Sequence, residues 1–191
     1  MSEGFRSALE RALSRHVEGY RTLRSCSQLT AGASQETYRV VVDTDTTQRQ
    51  LALRRSQPTA ESGSSVGTIS LATEARLLQL ARAGGIPGPE VIHVFGPDDD
   101  LSNGFLMEWL DGEPLGQRIV RADELAGIRP QLARQCGQLL GRIHALDFTA
   151  TGLADARPVV DPAPLVDETW GAYRDLNVPA PMIDYSWRWL K

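Results

Sequence analysis

The sequence predicts an α+β chain: a five-stranded antiparallel sheet carrying a helix, followed by a run of further helices. Three observations lead there. Short blocks of β-branched and aromatic residues recur as far as residue 110, a single stretch of helical spacing interrupts them after the third block, and beyond Pro114 the spacing is helical.

The elements follow in order. Phe5, Leu9, Ala12, Leu13, Val17 and Tyr20 recur at intervals of three and four, which predicts an amphipathic helix over residues 5–20. From Leu29 the text turns to strand, glycine-containing turn and strand, with Ala31-Gly32-Ala33-Ser34 as the turn and Thr37, Tyr38, Val40, Val41 and Val42 as strand formers. Polar residues from Asp43 make a turn, and Leu51-Ala52-Leu53-Arg54-Arg55 returns as a third strand. Residues 56–68 are small and polar and predict a loop. Leu71, Ala75, Leu78 and Ala81 then mark a helix over 69–83, closed by Gly84-Gly85. Val91–Phe95 and Phe105–Leu110 read as a hairpin around Gly96-Pro-Asp-Asp-Asp. Asp111-Gly-Glu-Pro114 breaks the pattern. Leu132, Cys136, Leu139, Leu140 and Ile143 define one face of a helix over 129–147, a proline-containing loop covers 148–164, and helical stretches follow near 165–176 and 183–190.

At 191 residues the chain holds one ordinary domain, or a small lobe with part of a second. A hydrophobic content of 41% with 23% charged residues is that of a folded protein. A net charge of −4 offers no basic field for wrapping nucleic acid or lying on an anionic membrane. Cys26 and Cys136 stand far apart, with neither a CxxC nor a nearby histidine cluster to complete a zinc site, and read as two buried reduced thiols. The N-terminus lacks the apolar core of a secretory signal and no run reaches the length of a membrane span, so the cytoplasm is the expected location.

Sheet, intervening helix, short linker and helices form the layout of the small lobe and hinge of a protein-kinase-like fold. Three local features bear on that reading. Gly32 would let the backbone approach a phosphate, and Ser34 could donate to it, although an ordinary hairpin turn explains the same residues. Arg54 on the third strand and Glu74 on the following helix stand where kinases keep the Lys–Glu pair that grips the nucleotide phosphates. Alternation puts Ala52 and Arg54 on one face; a register favouring Arg55, or a plain surface role for all three charges, remains open. The run Phe105-Leu-Met107-Glu108-Trp109-Leu110-Asp-Gly112-Glu-Pro114 would offer main-chain groups to adenine, or is simply a strand followed by a turn.

Taken in order, Leu29-Thr-Ala-Gly-Ala-Ser-Gln-Glu-Thr-Tyr, Leu51-Ala-Leu-Arg-Arg, Thr73-Glu-Ala-Arg-Leu-Leu-Gln-Leu-Ala and Gly85-Ile-Pro-Gly-Pro-Glu-Val resemble the aminoglycoside phosphotransferase and choline kinase-like family. Phe105–Leu115 and Leu139-Leu-Gly-Arg-Ile-His144-Ala-Leu-Asp147 extend the resemblance over nearly the whole chain, toward the subgroup related to acyl-CoA dehydrogenase-associated phosphotransferase domains. The resemblance implies an enzyme that moves the ATP γ-phosphate to a hydroxyl of a small molecule with Mg²⁺. Gly32, Ala33, Ser34, Arg54 and Glu74 would hold the phosphates, and Met107, Glu108 (carbonyl) and Leu110 (amide) the adenine. It also implies a nucleotide-binding lobe over 1–110, a hinge over 111–116, and the start of a helical lobe over 117–191.

The family's catalytic loop reads His-Gly-Asp with an Asn five residues on, and a later Asp carries the metal. No such run stands in these residues; His144-Ala-Leu-Asp147 is followed by Gly152 and reads as the end of a structural helix. The expectation is therefore a chain that holds the ATP-binding part and is cut before the catalytic loop, with no catalytic or metal-ligating residue assigned. A non-catalytic nucleotide-binding module, an inert fragment and a small interaction domain are the alternatives. Asp98-Asp99-Asp100 reads as a solvated turn, and Trp170, Tyr173, Trp187 and Trp189 as core aromatics or, in part, exposed ones.

Overall fold

Residues 2–29, 35–56, 69–147, 153 and 161–191 are described by the computed structural model; the turn expected at Ala31-Gly32-Ala33-Ser34 lies outside them, as does the loop expected over 56–68 apart from Ser56, which ends the third strand. The chain divides into two units, Met1–Thr151 and Gly152–Lys191. In the first, α1 (Glu3–His16) starts at Ser2, whose side chain accepts from the Phe5 N–H, and buries Ala8, Leu9, Ala12 and Leu13. The helix ends at His16 and not at residue 20 as the apolar spacing suggests. Gly19 takes the left-handed conformation, φ +67°, and its carbonyl accepts from the Asp45 N–H at 2.8 Å, so the chain reverses and Tyr20 enters the sheet.

Five strands follow: β1 (Tyr20–Gln28), β2 (Gln35–Thr44), β3 (Gln48–Ser56), β4 (Val91–Val94) and β5 (Gly104–Glu108), with α2 (Leu71–Ala83) between β3 and β4. They form the one five-stranded antiparallel sheet expected from the sequence, and the pairing sets its order as β1-β2-β3-β5-β4. β1 begins upstream of any visible alternation, because Leu23 alone in it is fully buried.

Alternation assigns the two faces. Tyr38, Val40 and Val42 of β2, Leu51 and Leu53 of β3 and Leu106 of β5 pack against α1. Phe105 and Met107 of β5 turn the other way, to Leu71, Ala75 and Leu78 of α2. Each large side chain so buried stabilises the fold by roughly 1.5–3 kcal/mol. α2 is capped by the Ser70 hydroxyl, which accepts from the Thr73 N–H at 3.1 Å, and closes on Gly85, φ +73°, with the Ile86 N–H reaching back to the Ala81 carbonyl at 2.9 Å.

The β4–β5 connection corrects an expectation. Pro97–Asp99 form a single 3₁₀ turn, and Asp99, read as a solvated turn aspartate, is only 7% exposed. Its carboxylate accepts from the Gly96 N–H at 2.8 Å and bonds His93 Nε2 at 2.9 Å. Arg11 and Arg15 of α1 donate to the Asp100 carboxylate and the Asp98 carbonyl, at 2.7 and 3.3 Å, and so draw the turn beneath the helix. Burial alone would raise the Asp99 carboxyl, but the His93 and Gly96 bonds hold it below its ordinary value. Burial, and then the neighbouring His93, push the His16 imidazole down.

Beyond the sheet lie α3 (Gly116–Arg121), a 3₁₀ turn at Asp123–Leu125, and α4 (Arg129–His144). Arg142 of α4 donates to the Gly85 carbonyl, which ties α4 to the end of α2. The stripe predicted for α4 is present but uncovered among the described residues: Leu140 and Ile143 are 52% and 40% exposed, and Cys136 is exposed. Both cysteines are free thiols as expected, but neither is fully buried; Cys26 is half-buried and burial pushes its thiol up to about 11. At pH 8 only about one Cys26 in a thousand is thiolate. An aromatic disulfide reagent is therefore expected to label Cys136 first, and the fast phase to vanish in Cys136→Ser.

In the second unit α5 (Pro162–Asp175), capped by Asp161, and α6 (Pro181–Leu190) pair through Trp170, which stacks on Trp187 at 4.6 Å. The Tyr173 hydroxyl accepts from the Ala180 N–H at 2.8 Å, while Trp189 is 77% exposed. Trp170 and Trp187 are thus half-buried against each other, neither helix has a fully buried residue, and Trp189 is exposed.

Candidate nucleotide site

The candidate site grows out of β3. Residues 51, 53 and 55 face α1, so 52 and 54 face α2. Arg54 meets Glu74, on the first turn of α2, with Nε and Oε1 3.0 Å apart. The pair is close, yet the Arg54 Nε–H is not aligned on the carboxylate and this buried donor makes no hydrogen bond. With side chains 34% and 26% exposed, the pair adds little to stability as an ion pair alone.

Arg55, the alternative left open by the sequence, belongs to the opposite face. Its Nε donates to Glu36 at 2.7 Å, its guanidinium lies 4.0 Å from the Phe5 ring centre, and its side chain is 12% exposed. The Tyr38 hydroxyl donates to the same Glu36 carboxylate at 3.0 Å. Arg55 is therefore a strut between β2, β3 and α1.

Beside Arg54, Ala52 is 6% exposed and pairs across the ladder with Met107 of β5. Both stand on the face that Arg54 shares. On that face too the Arg39 guanidinium lies 5.1 Å from the Trp109 ring centre and donates to Gln50 Oε1 at 2.6 Å. Neither Arg39 nor Trp109 was singled out from the sequence; their pairing depends on the β2–β3 register, in which Arg39 stands opposite Ala52.

At the end of β5, Glu108 donates its N–H to the Glu90 carbonyl at 2.8 Å. A regular ladder would return the Glu90 N–H to the Glu108 carbonyl, but it goes to the Glu108 carboxylate at 3.2 Å. The Glu108 carbonyl loses that partner, and the Leu110 N–H has none among the described residues. These two groups, two positions apart on an extended segment, point to one side. Leu110 itself is 54% exposed.

The register is set by a residue the sequence reading passed over. Gly104 of β5 stands opposite Arg55, and a Cβ there would lie 2.9 Å from the Arg55 Cα and closer still to the Arg54 carbonyl oxygen. The signal that could have found it is a glycine opening a strand pattern, which often marks close backbone approach. Two hollows lie elsewhere, one lined by Gly19, Asp45 and Arg49 at the strand turns, the other by Trp170, Tyr173 and Trp187 within the second unit.

The family model described as "Phosphotransferase enzyme family" matches residues 25–191. No curated protein matches the chain by sequence. Among solved structures, the chain is similar to one described as a "putative aminoglycoside phosphotransferase" from Ralstonia eutropha JMP134, at 20% identity and a TM-score of 0.64, over 96% of this chain and 51% of that one. That likeness shows the fold, a mixed α+β kinase-like one, and the chain spans about half the length of that structure.

Proposed function

The chain belongs to the phosphotransferase enzyme family, and from that premise we propose that it holds the ATP of an enzyme that phosphorylates a hydroxyl of a small molecule. The observation that carries the proposal is the Arg54–Glu74 pair beside Ala52, with the buried Arg54 Nε–H left without a hydrogen-bond acceptor. Glu74 already faces that Nε at 3.0 Å, and the other N–H groups of the partly exposed guanidinium are the kind of donor that phosphate oxygens accept. Glu74 holds the guanidinium from the α2 side, so Arg54 is oriented before the nucleotide arrives.

Adenine in this reading lies over Ala52 beside Met107, its edge bonded to the Glu108 carbonyl and the Leu110 N–H. Gly32, Ala33 and Ser34 would close over the phosphates from the turn outside the described residues. ATP supplies the phosphoryl group; the residues here bind and orient it. Mg²⁺ would accompany the nucleotide, and none of the described residues is assigned as its ligand. Residues that activate the acceptor hydroxyl are likewise not assigned, and the subgroup related to acyl-CoA dehydrogenase-associated domains stays part of the proposal.

Calorimetric titration of the folded chain with ATP and Mg²⁺ is expected to give saturable binding at one site. Failure of a demonstrably folded chain to bind would overturn the reading and favour an interaction module.

A further inference from the structure

We propose that His16, His93 and Asp99 form a site for a single divalent transition-metal ion, most readily Zn²⁺, that fastens α1 to the β4–β5 turn. The three ligand atoms come from the end of α1 and from the two sides of the β4–β5 connection, and lie within 4.8 Å of one another. His93 Nε2 is 2.9 Å from Asp99 Oδ2, and His16 Nε2 is 3.7 Å from Asp99 Oδ1. Zinc bound at about 2.0–2.1 Å in tetrahedral geometry sets its ligand atoms about 3.3 Å apart, a spacing that ligand atoms all within 4.8 Å of one another reach by a small closing movement.

Hydrogen bonding accounts for only half of this arrangement. His93 and the Gly96 N–H satisfy Asp99 Oδ2, but His16 Nε2 stands too far from Oδ1 to bond it. Its ring nevertheless lies flat on His93, with centroids 3.4 Å apart and planes within 8°. A shared ion explains why two imidazoles present the same nitrogen to one carboxylate. Convergence on the ion needs the stacked rings to splay at their Nε2 edges, a rotation available to His16, whose side chain is 29% exposed. That exposure also provides the entry path and an open fourth position for water.

The surroundings hold the ligands in place. Gly96 fixes the Asp99 carboxylate from behind, as outer partners of metal sites commonly do. Arg11 to Asp100 and Arg15 to the Asp98 carbonyl keep α1 and the turn in register whether or not the ion is bound. Two imidazoles and one carboxylate suit Zn²⁺ or Co²⁺; Mg²⁺ and Ca²⁺ prefer oxygen ligands. The site lies on the α1 face of the sheet, away from Arg54 and Glu74, and does not depend on the nucleotide reading.

The test uses the 191-residue chain stripped with a chelator and titrated with Zn²⁺ and with Co²⁺ as a visible probe. The expected result is one ion per chain, d–d bands of tetrahedral intensity with Co²⁺, and a Tm raised on the order of 5 °C at saturating Zn²⁺. His16→Ala leaves the His93–Asp99–Gly96 bonds intact, so it should fold and weaken Zn²⁺ at least about 100-fold, as should His93→Gln. A Cys26→Ser/Cys136→Ser variant and a His144→Ala variant should bind as the parent does. Absence of binding by the parent, or binding that survives His16→Ala and His93→Gln, would overturn the proposal.

Discussion

Arg54→Ala is expected to weaken ATP binding about 100-fold or more while the chain stays folded, whereas Arg55→Ala should do the reverse. Adjacent residues of one strand point to opposite faces. Arg54 meets Glu74 of α2 and carries a buried Nε–H without a hydrogen bond; Arg55 is bonded to Glu36 and lies on Phe5. In the proposed nucleotide complex, deleting Arg54 would remove charge-assisted bonds to phosphate, worth about 1.5–3 kcal/mol each, and would cost little stability because the pair is partly exposed. Deleting Arg55 leaves the Glu36 carboxylate, 16% exposed, without its cation, at a cost of about 2–3 kcal/mol. Calorimetry with ATP and Mg²⁺ beside thermal denaturation separates the two effects. Nucleotide binding that is lost in Arg55→Ala and kept in Arg54→Ala would move the site to the α1 face.

Gly104→Ala is expected to destabilise the chain by about 3 kcal/mol, and to lower nucleotide affinity in the molecules that remain folded. The added Cβ has no flexible side chain to push aside: its neighbours are the Arg54 carbonyl and the Arg55 Cα, so β3 and β5 must separate. Overpacking alone costs about 1–3 kcal/mol, and here it disturbs the ladder that sets Ala52 against Met107 and orients Arg54. Gly96→Ala is the control, since nothing lies within 4 Å of a Cβ there. Urea midpoints for both variants, with ATP titrations of each, check the outcome. Equal stability of the two would show that the strands tolerate the methyl group.

Much of the fold was legible in the sequence, because strand alternation and helical spacing are local signals. The runs at 38–42 and 51–55, the spacing of Leu71, Ala75 and Leu78, and the glycines after α2 each announced their element. The same logic failed where an apolar residue kept helical phase without being helical. Tyr20 continues the stripe of α1 but belongs to β1, and only the left-handed Gly19 marks the change. The α4 stripe was legible as a pattern, yet pattern says nothing of what covers it.

The sequence by itself determined the order of elements, the family resemblance and the residue types able to hold a phosphate, since these depend on local propensity and on linear motifs. Only the tertiary structure decided which of two adjacent arginines faces α2, since the sequence left the strand register open and a one-residue slip exchanges the faces. It alone brought Arg39 onto Trp109, and it turned Asp99 from a solvent-facing turn residue into a buried partner of His93 with His16 alongside. Those contacts join residues far apart along the chain, and their distances are set by how α1, α2 and the sheet pack together.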